Sequence, residues 1–237
     1  YHGMNIGATT VGGMINNVKT FASVLMPGVQ HMRHTHLPEH KFVKGQPDTG
    51  VEMAEDLERI AMNFGGENIA ACIVEPIAGS TGTLVPPKGY LKRIREICDK
   101  HGILLIFDEV ITGWGRTGSA FASQEFGVTP DMITMAKATT NGVIPMGVVA
   151  VKEEMYDAVL DSSKNPEGTP ELFHGYTYSG IPAAVAAGLA VQDIFDKEDI
   201  FNRAKEMSPY FQDGLHSLKD LKEVVSIRGY GMMGGVE

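Results

Sequence analysis

Asp108 and Glu109 close an otherwise apolar run, Ile103-Leu-Leu-Ile-Phe107. A carboxylate at the end of a buried strand is costly unless it meets a partner. The plain reading is an acid that faces solvent or caps a neighbouring helix. The chemical reading is an acid beneath a cofactor, holding a proton on a ring nitrogen. Lys137 poses the same choice, because it follows the mostly apolar run Met132-Ile-Thr-Met-Ala136 and precedes Ala138-Thr-Thr-Asn-Gly142. A lone lysine at a strand end most often snorkels its ammonium to water. The alternative is a Schiff-base lysine, whose amine must be desolvated or near other cations to attack at neutral pH. Neither residue decides alone. Together, on strand ends of one sheet, they suit a pyridoxal phosphate site, which needs a lysine for the aldehyde and an acid for the pyridine nitrogen.

Other groups carry less. His31, His34 and His36, with His40 nearby, are loosely spaced and joined by no cysteine or acid triad, so no metal is expected there. Gly229-Tyr-Gly-Met-Met-Gly234 spells a dinucleotide fingerprint, but that motif needs a following helix and an acid about 20 residues on. Cys72 and Cys98 lie on apolar faces and read as core. Trp114, in the Gly-rich stretch after Asp108, reads as packing or interface.

The elements that must position Asp108 and Lys137 alternate as in an α/β protein with a parallel sheet. Apolar runs at 69–77, 103–110, 132–136 and 224–227 read as strands, and helical periodicity marks 51–64, 88–101, 182–196 and 199–218. In open α/β sheets ligands sit beyond the C-terminal strand ends. That rule selects 75–82, 108–118, 137–142 and the loop before the helix at 182.

Composition bounds the rest. The 237 residues are 43% apolar and 21% charged, which suits a folded chain. Lys plus Arg number 20 against 29 Asp plus Glu, a net charge of -9. That balance speaks against nucleic acid or an anionic membrane surface as partner. Two cysteines make no disulfide framework, no run has the length of a membrane helix, and a cytoplasmic setting is expected.

FDEVITGWGRTG at 107–118 and MAKATTNG at 135–142 together resemble the signature of the class III pyridoxal-phosphate aminotransferases. YHG at 1–3, VEPIAGSTG at 74–82, HGYTYSG at 174–180 and RGYGMMGGVE at 228–237 match the same family, so the resemblance covers essentially the whole chain. Within it, HMRHTH at 31–36, KGQP at 44–47 and LVPPKGY at 84–90 look most like the ω-amino acid–pyruvate (β-alanine–pyruvate) branch. The resemblance implies a fold-type-I large domain, like that of aspartate aminotransferase, with a mostly parallel sheet. It implies a partial large domain over 1–195 and the beginning of a small C-terminal domain over 196–237.

Carried onto this sequence, the family's roles make Lys137 the covalent anchor of pyridoxal 5'-phosphate and Asp108 the partner of its ring nitrogen. Val110 would pack on one ring face and Tyr1 would stack on the other. Glu75 would support the Asp108 end of the site. Thr177 would reach the cofactor phosphate of a partner subunit in a homodimer or dimer of dimers. The substrates implied are a small amine donor and a keto acid acceptor. Two other outcomes stay open: a class III relative that decarboxylates or moves an amine within one molecule, and a non-catalytic truncated fragment. The chain opens on Tyr1 and stops at Glu237 after Gly-rich sequence, so an internal fragment is expected, without the family's upstream phosphate turn and downstream carboxylate-binding arginine.

Overall fold

The computed structural model describes residues 1–162, 172 and 174–237. Its central sheet is built from β1 (Ala71–Val74), β2 (Leu104–Asp108), β3 (Met132–Met135) and β4 (Val148–Val151), in that spatial order. The first three run parallel, and β4 pairs antiparallel with β3. The strands are shorter than the apolar runs that signalled them. Pro76 has no N–H to give a ladder, so β1 stops at Val74.

Ahead of the sheet come α1 (Ile6–Val11), α2 (Ile15–Thr20) and α3 (Glu55–Phe64); α4 (Tyr90–His101) joins β1 to β2. The expected helix at 51–64 begins as a 3₁₀ turn, Val51–Ala54, after Gly50 at φ +103°, and becomes α-helical only at Glu55. α4 ends where expected: Gly102 takes φ +68° and its N–H bonds the Cys98 carbonyl. α3 and α4 bury their apolar stripes on one face of the sheet. Leu57, Ala61, Ile94, Ile97, Cys98, Leu105 and Phe107 are each no more than 3% exposed. Burial of each large apolar side chain contributes about 1.5–3 kcal/mol.

The opposite, N-terminal end of the sheet is tied by one carboxylate. Asp131 accepts from the Leu105 N–H at 2.7 Å, from Arg95 on α4 at 2.8 Å and from Lys152 just beyond β4 at 2.7 Å. Three elements therefore share one anion. Burial raises the Asp131 carboxyl, and the bonds from Lys152, Leu105 and Arg95 outweigh it and hold the group at about 2.

The chain continues through α5 (Ala122–Glu125), α6 (Glu153–Ser162), α7 (Pro182–Lys197) and α8 (Ile200–His216) to a hairpin of β5 (Ile227–Tyr230) and β6 (Met233–Val236). β4, α6 and β6 were not anticipated. The strand expected at 224–227 begins only at Ile227; the Val225 N–H instead bonds the Glu237 carbonyl at 2.7 Å. The Gly229–Gly234 motif lies across this hairpin with Gly231 at φ +58°, so it is a strand turn and no dinucleotide loop. The hairpin packs back on the loops of the sheet. Arg228 Nε donates to the Gly82 carbonyl at 2.8 Å, the Met232 N–H to the Arg116 carbonyl at 2.8 Å, and the Tyr230 hydroxyl to Glu125 at 2.6 Å.

Candidate active site

The parallel register pairs Val74 with Phe107 and Asp108 with Thr134. It therefore sets Glu75, Asp108 and Lys137 just past the C-terminal ends of three adjacent strands. Asp108 is 6% exposed. Its Oδ1 accepts from the Val110 N–H at 3.0 Å, and Oδ2 lies 2.7 Å from His2 Nδ1. Burial raises the Asp108 carboxyl, but the bonds from His2 and Val110 outweigh it and hold the group below the usual aspartate range. An ionised acceptor requires that His2 Nδ1 carry the proton.

Glu109 is wholly buried and serves another purpose. It accepts from the Ala122 N–H at 2.6 Å, the Ser123 N–H at 2.9 Å and the Thr112 hydroxyl at 3.2 Å, and so caps the short helix α5. Burial pushes its carboxyl up despite those bonds. Two neighbouring acids are thus shifted in opposite directions: Asp108 is held as an anion facing His2, while Glu109 is taken up by the α5 cap. Val110, half-buried, follows them and fixes Asp108 through its N–H.

Glu75 is held by two donors, the Gly79 N–H at 2.9 Å and the main-chain nitrogen of Tyr1. Tyr1 and His2 lie between it and Asp108. Lys137 opens a 3₁₀ turn, Lys137–Thr139, with its own φ at +48°. A non-glycine residue in that region is strained, and strain of this kind collects at functional sites. The turn is closed by the Thr139 hydroxyl on the Ala136 carbonyl at 3.0 Å and the Gly142 N–H on the Lys137 carbonyl at 3.1 Å. The Lys137 side chain is exposed at the strand end. Thr177 stands exposed in a turn before α7 and is not drawn into this group.

Glu109 takes the plain reading of a strand-end acid that caps a neighbouring helix, and Trp114 packs as read; sequence reasoning missed two contacts, His2 on Asp108 and the Trp114 bond to Thr139. The indole Nε1–H of Trp114 donates to the Thr139 hydroxyl at 3.0 Å, and its ring stacks on Phe195 at 5.8 Å. Only His2 had a usable signal, as an imidazole beside a residue already singled out. A cleft of about 1220 Å³ runs beside β1, lined by Tyr1, His2, Glu75, Cys72 and Arg228. His31 and His36 also line it, yet among the described residues no three His, Cys, Asp or Glu side chains group as a metal site.

Residues 1–237 match the class-III aminotransferase family from end to end. The chain belongs to that family. This class-III chain is 53% identical over its whole length to an omega-aminotransferase of Caulobacter vibrioides, and 47% identical to an omega-amino acid–pyruvate aminotransferase of Pseudomonas putida. It spans about half of those relatives, 53% of each. The crystal structure of the omega transaminase of Pseudomonas jessenii in complex with PMP superposes with a TM-score of 0.88 at 31% identity, covering all of this chain and 52% of that one. The fold is thus the mixed α/β fold of pyridoxal-phosphate-dependent transaminases, with a mostly parallel central sheet. Class-III aminotransferases depend on pyridoxal phosphate, and the residues here fit it. Asp108 is ionised with lone pairs to spare, and Lys137 projects freely from the adjacent strand end. Among the described residues no helix is long and apolar enough to cross a membrane.

Proposed function

We propose that the protein carrying this chain transfers an amino group from an ω-amino acid of the β-alanine type to pyruvate. The observation that carries the reading is the placement of an ionised Asp108 and a strained, exposed Lys137 past the ends of neighbouring parallel strands. The substrate class is supported by the relatives named for ω-amino acids and pyruvate. Lys137 anchors the cofactor, and Asp108 holds the proton on its ring nitrogen. When bound, pyridoxal phosphate supplies the electron sink for a carbanion. His2 orients Asp108 and keeps it charged. With the cofactor bound, Lys137 Nζ would be the acid–base that moves a proton between the substrate's amine-bearing carbon and the cofactor carbon, in one direction for the donor and in the reverse for the acceptor. Tyr1 and Val110 are read as the two faces of the ring slot, and Glu75 as the brace behind Tyr1. Thr177, exposed here, is read as a phosphate ligand for the partner subunit of a homodimer. We read 1–195 as part of the large domain and 196–237 as the opening of the small one. Free thiols at Cys72 and Cys98 support a cytoplasmic setting.

Borohydride reduction of the full-length protein with its cofactor, followed by peptide mapping, tests the anchor. A label on Lys137 is expected, and a label on another lysine overturns the assignment. Alanine formation from β-alanine and pyruvate tests the reaction.

A further inference from the structure

Trp114 at φ +64° and Lys137 at φ +48° both hold left-handed backbone beside the site. A bulky aromatic in that region is an outlier that its surroundings must impose. Trp114 is imposed by its loop. Its N–H bonds the Ala120 carbonyl at 2.6 Å, and the preceding Gly113 N–H bonds the Glu109 carbonyl at 2.9 Å. Gly113 admits no larger residue, since a Cβ would lie 2.7 Å from that carbonyl. The indole packs tilted against Phe121, centroid to centroid 5.0 Å, and stacks on Phe195 of α7 at 5.8 Å. Its single polar atom then reaches out of this aromatic stack to the Thr139 hydroxyl at 3.0 Å. That hydroxyl donates in turn to the Ala136 carbonyl, one residue before Lys137. The Asp108–Glu109 strand end and the Lys137 turn are thereby joined by one side-chain strut.

We propose that Trp114 is a positioning residue, and that its indole N–H, through Thr139, fixes the backbone of Lys137 and so the line of approach of Nζ. The inference rests on Lys137 being the cofactor anchor, as proposed above. A hydroxyl that only closed its own turn would need no external donor. A buried indole N–H needs some acceptor, and here it takes the one hydroxyl that closes the Lys137 turn. Here the two meet across 25 residues of sequence, at the turn where the strained lysine begins.

The test uses the full-length holoenzyme. Trp114→Phe keeps the aromatic stack and removes the donor; Thr139→Val removes the acceptor; Thr139→Ser restores a hydroxyl. The two readouts are steady-state kinetics with β-alanine and pyruvate, and the pH midpoint of the cofactor's visible band. Trp114→Phe and Thr139→Val are each expected to lower kcat about fivefold, equivalent to about 1 kcal/mol. KM should stay within about twofold, and the spectral midpoint should move by about half a pH unit or more. The double variant should be no worse than either single, and Thr139→Ser should behave as the parent. If Trp114→Phe lowers thermal stability yet leaves the spectral midpoint in place, the residue is packing alone and the proposal fails. If Thr139→Ser is as impaired as Thr139→Val, the hydroxyl is not the link and the proposal fails. Failure of the underlying reading is separate: the parent protein would show no visible band that Lys137→Ala abolishes.

Discussion

Replacing Asp108 with asparagine removes one charge and little volume, and the structure allows its cost to be apportioned. The amide oxygen can keep the Val110 N–H, which lies 3.0 Å from Oδ1. The amide nitrogen then faces His2 Nδ1, which lies 2.7 Å from Oδ2. His2 recovers that contact by changing tautomer, at a cost of about 0.5–1.5 kcal/mol for one neutral hydrogen bond. Loss of the charge matters more. A carboxylate about 3 Å from a protonated ring nitrogen is worth up to about 5 kcal/mol at an effective dielectric of about 20. The part realised only as the carbanion forms should match other preorganised electrostatic contacts, about 10²–10³ in kcat. Cofactor occupancy should change by less than about tenfold, because the covalent anchor proposed at Lys137 is untouched. The assay pairs a pyridoxal phosphate titration, read by visible absorbance, with saturated transamination rates for parent and Asp108→Asn. A kcat within about threefold of the parent would refute the ring-nitrogen role. Equal losses of occupancy and rate would make Asp108 a structural acid instead.

Two further outcomes follow from the packing. Asp131→Asn should destabilise the fold by about 1–2 kcal/mol at neutral pH, taking about 1.4 kcal/mol per pKa unit and discounting for solvent screening. Because the Asp131 carboxyl is depressed from 3.8 to about 2, its contribution is present above the unfolded value and is lost as pH falls through the folded one. Urea unfolding of parent and variant should therefore converge between about pH 4 and pH 2, and a constant gap across that window would show that the charge is not responsible. The 237-residue chain expressed alone should bind cofactor weakly and transaminate near background, since it spans only 53% of its relatives and leaves Val149 and Tyr178 exposed at 62% and 78%. Robust alanine formation by the short chain, compared with the full-length protein, would show the other half to be dispensable.

The parts of this fold that were legible in the sequence are those marked by local pattern. β1, β2 and β3 read as short continuous apolar runs, of which β2 is the most buried and β1 and β3 are largely half-covered. α4 was legible because its stripe and its Gly102 stop are local features. β4 was passed over although Val148-Val-Ala-Val151 is a short β-branched run; in the structure it is an exposed antiparallel edge, with Val149 and Val151 at 62% and 47%. The hairpin was misplaced by a few residues because its register is set by long-range contacts of Arg228 and Tyr230. Asp108 and Lys137 stood out as polar residues ending apolar strands. Two of their supports did not, because His2 and Trp114 act across 106 and 25 residues of sequence, and no spacing rule encodes such distances.

The two groups of contacts around the site have different characters. Behind it, the sheet is rigid: three parallel strands, a dense face of Leu and Ile side chains, and Asp131 clamping the far end. In front of it, every loop is held by something from elsewhere in the chain. Gly82 is held by Arg228, Arg116 by Met232, Glu125 by Tyr230, and Thr139 by Trp114 stacked on α7. The hairpin and α7 therefore touch the loops that carry the chemistry, while the strands that present Asp108 and Lys137 stay fixed by the core. A displacement of the hairpin would reach the site first through 82 and 116, on the Asp108 side. A displacement of α7 would reach it through Trp114 and the Lys137 turn. The acid and the lysine thus hang from one rigid sheet but are trimmed by two separate elements.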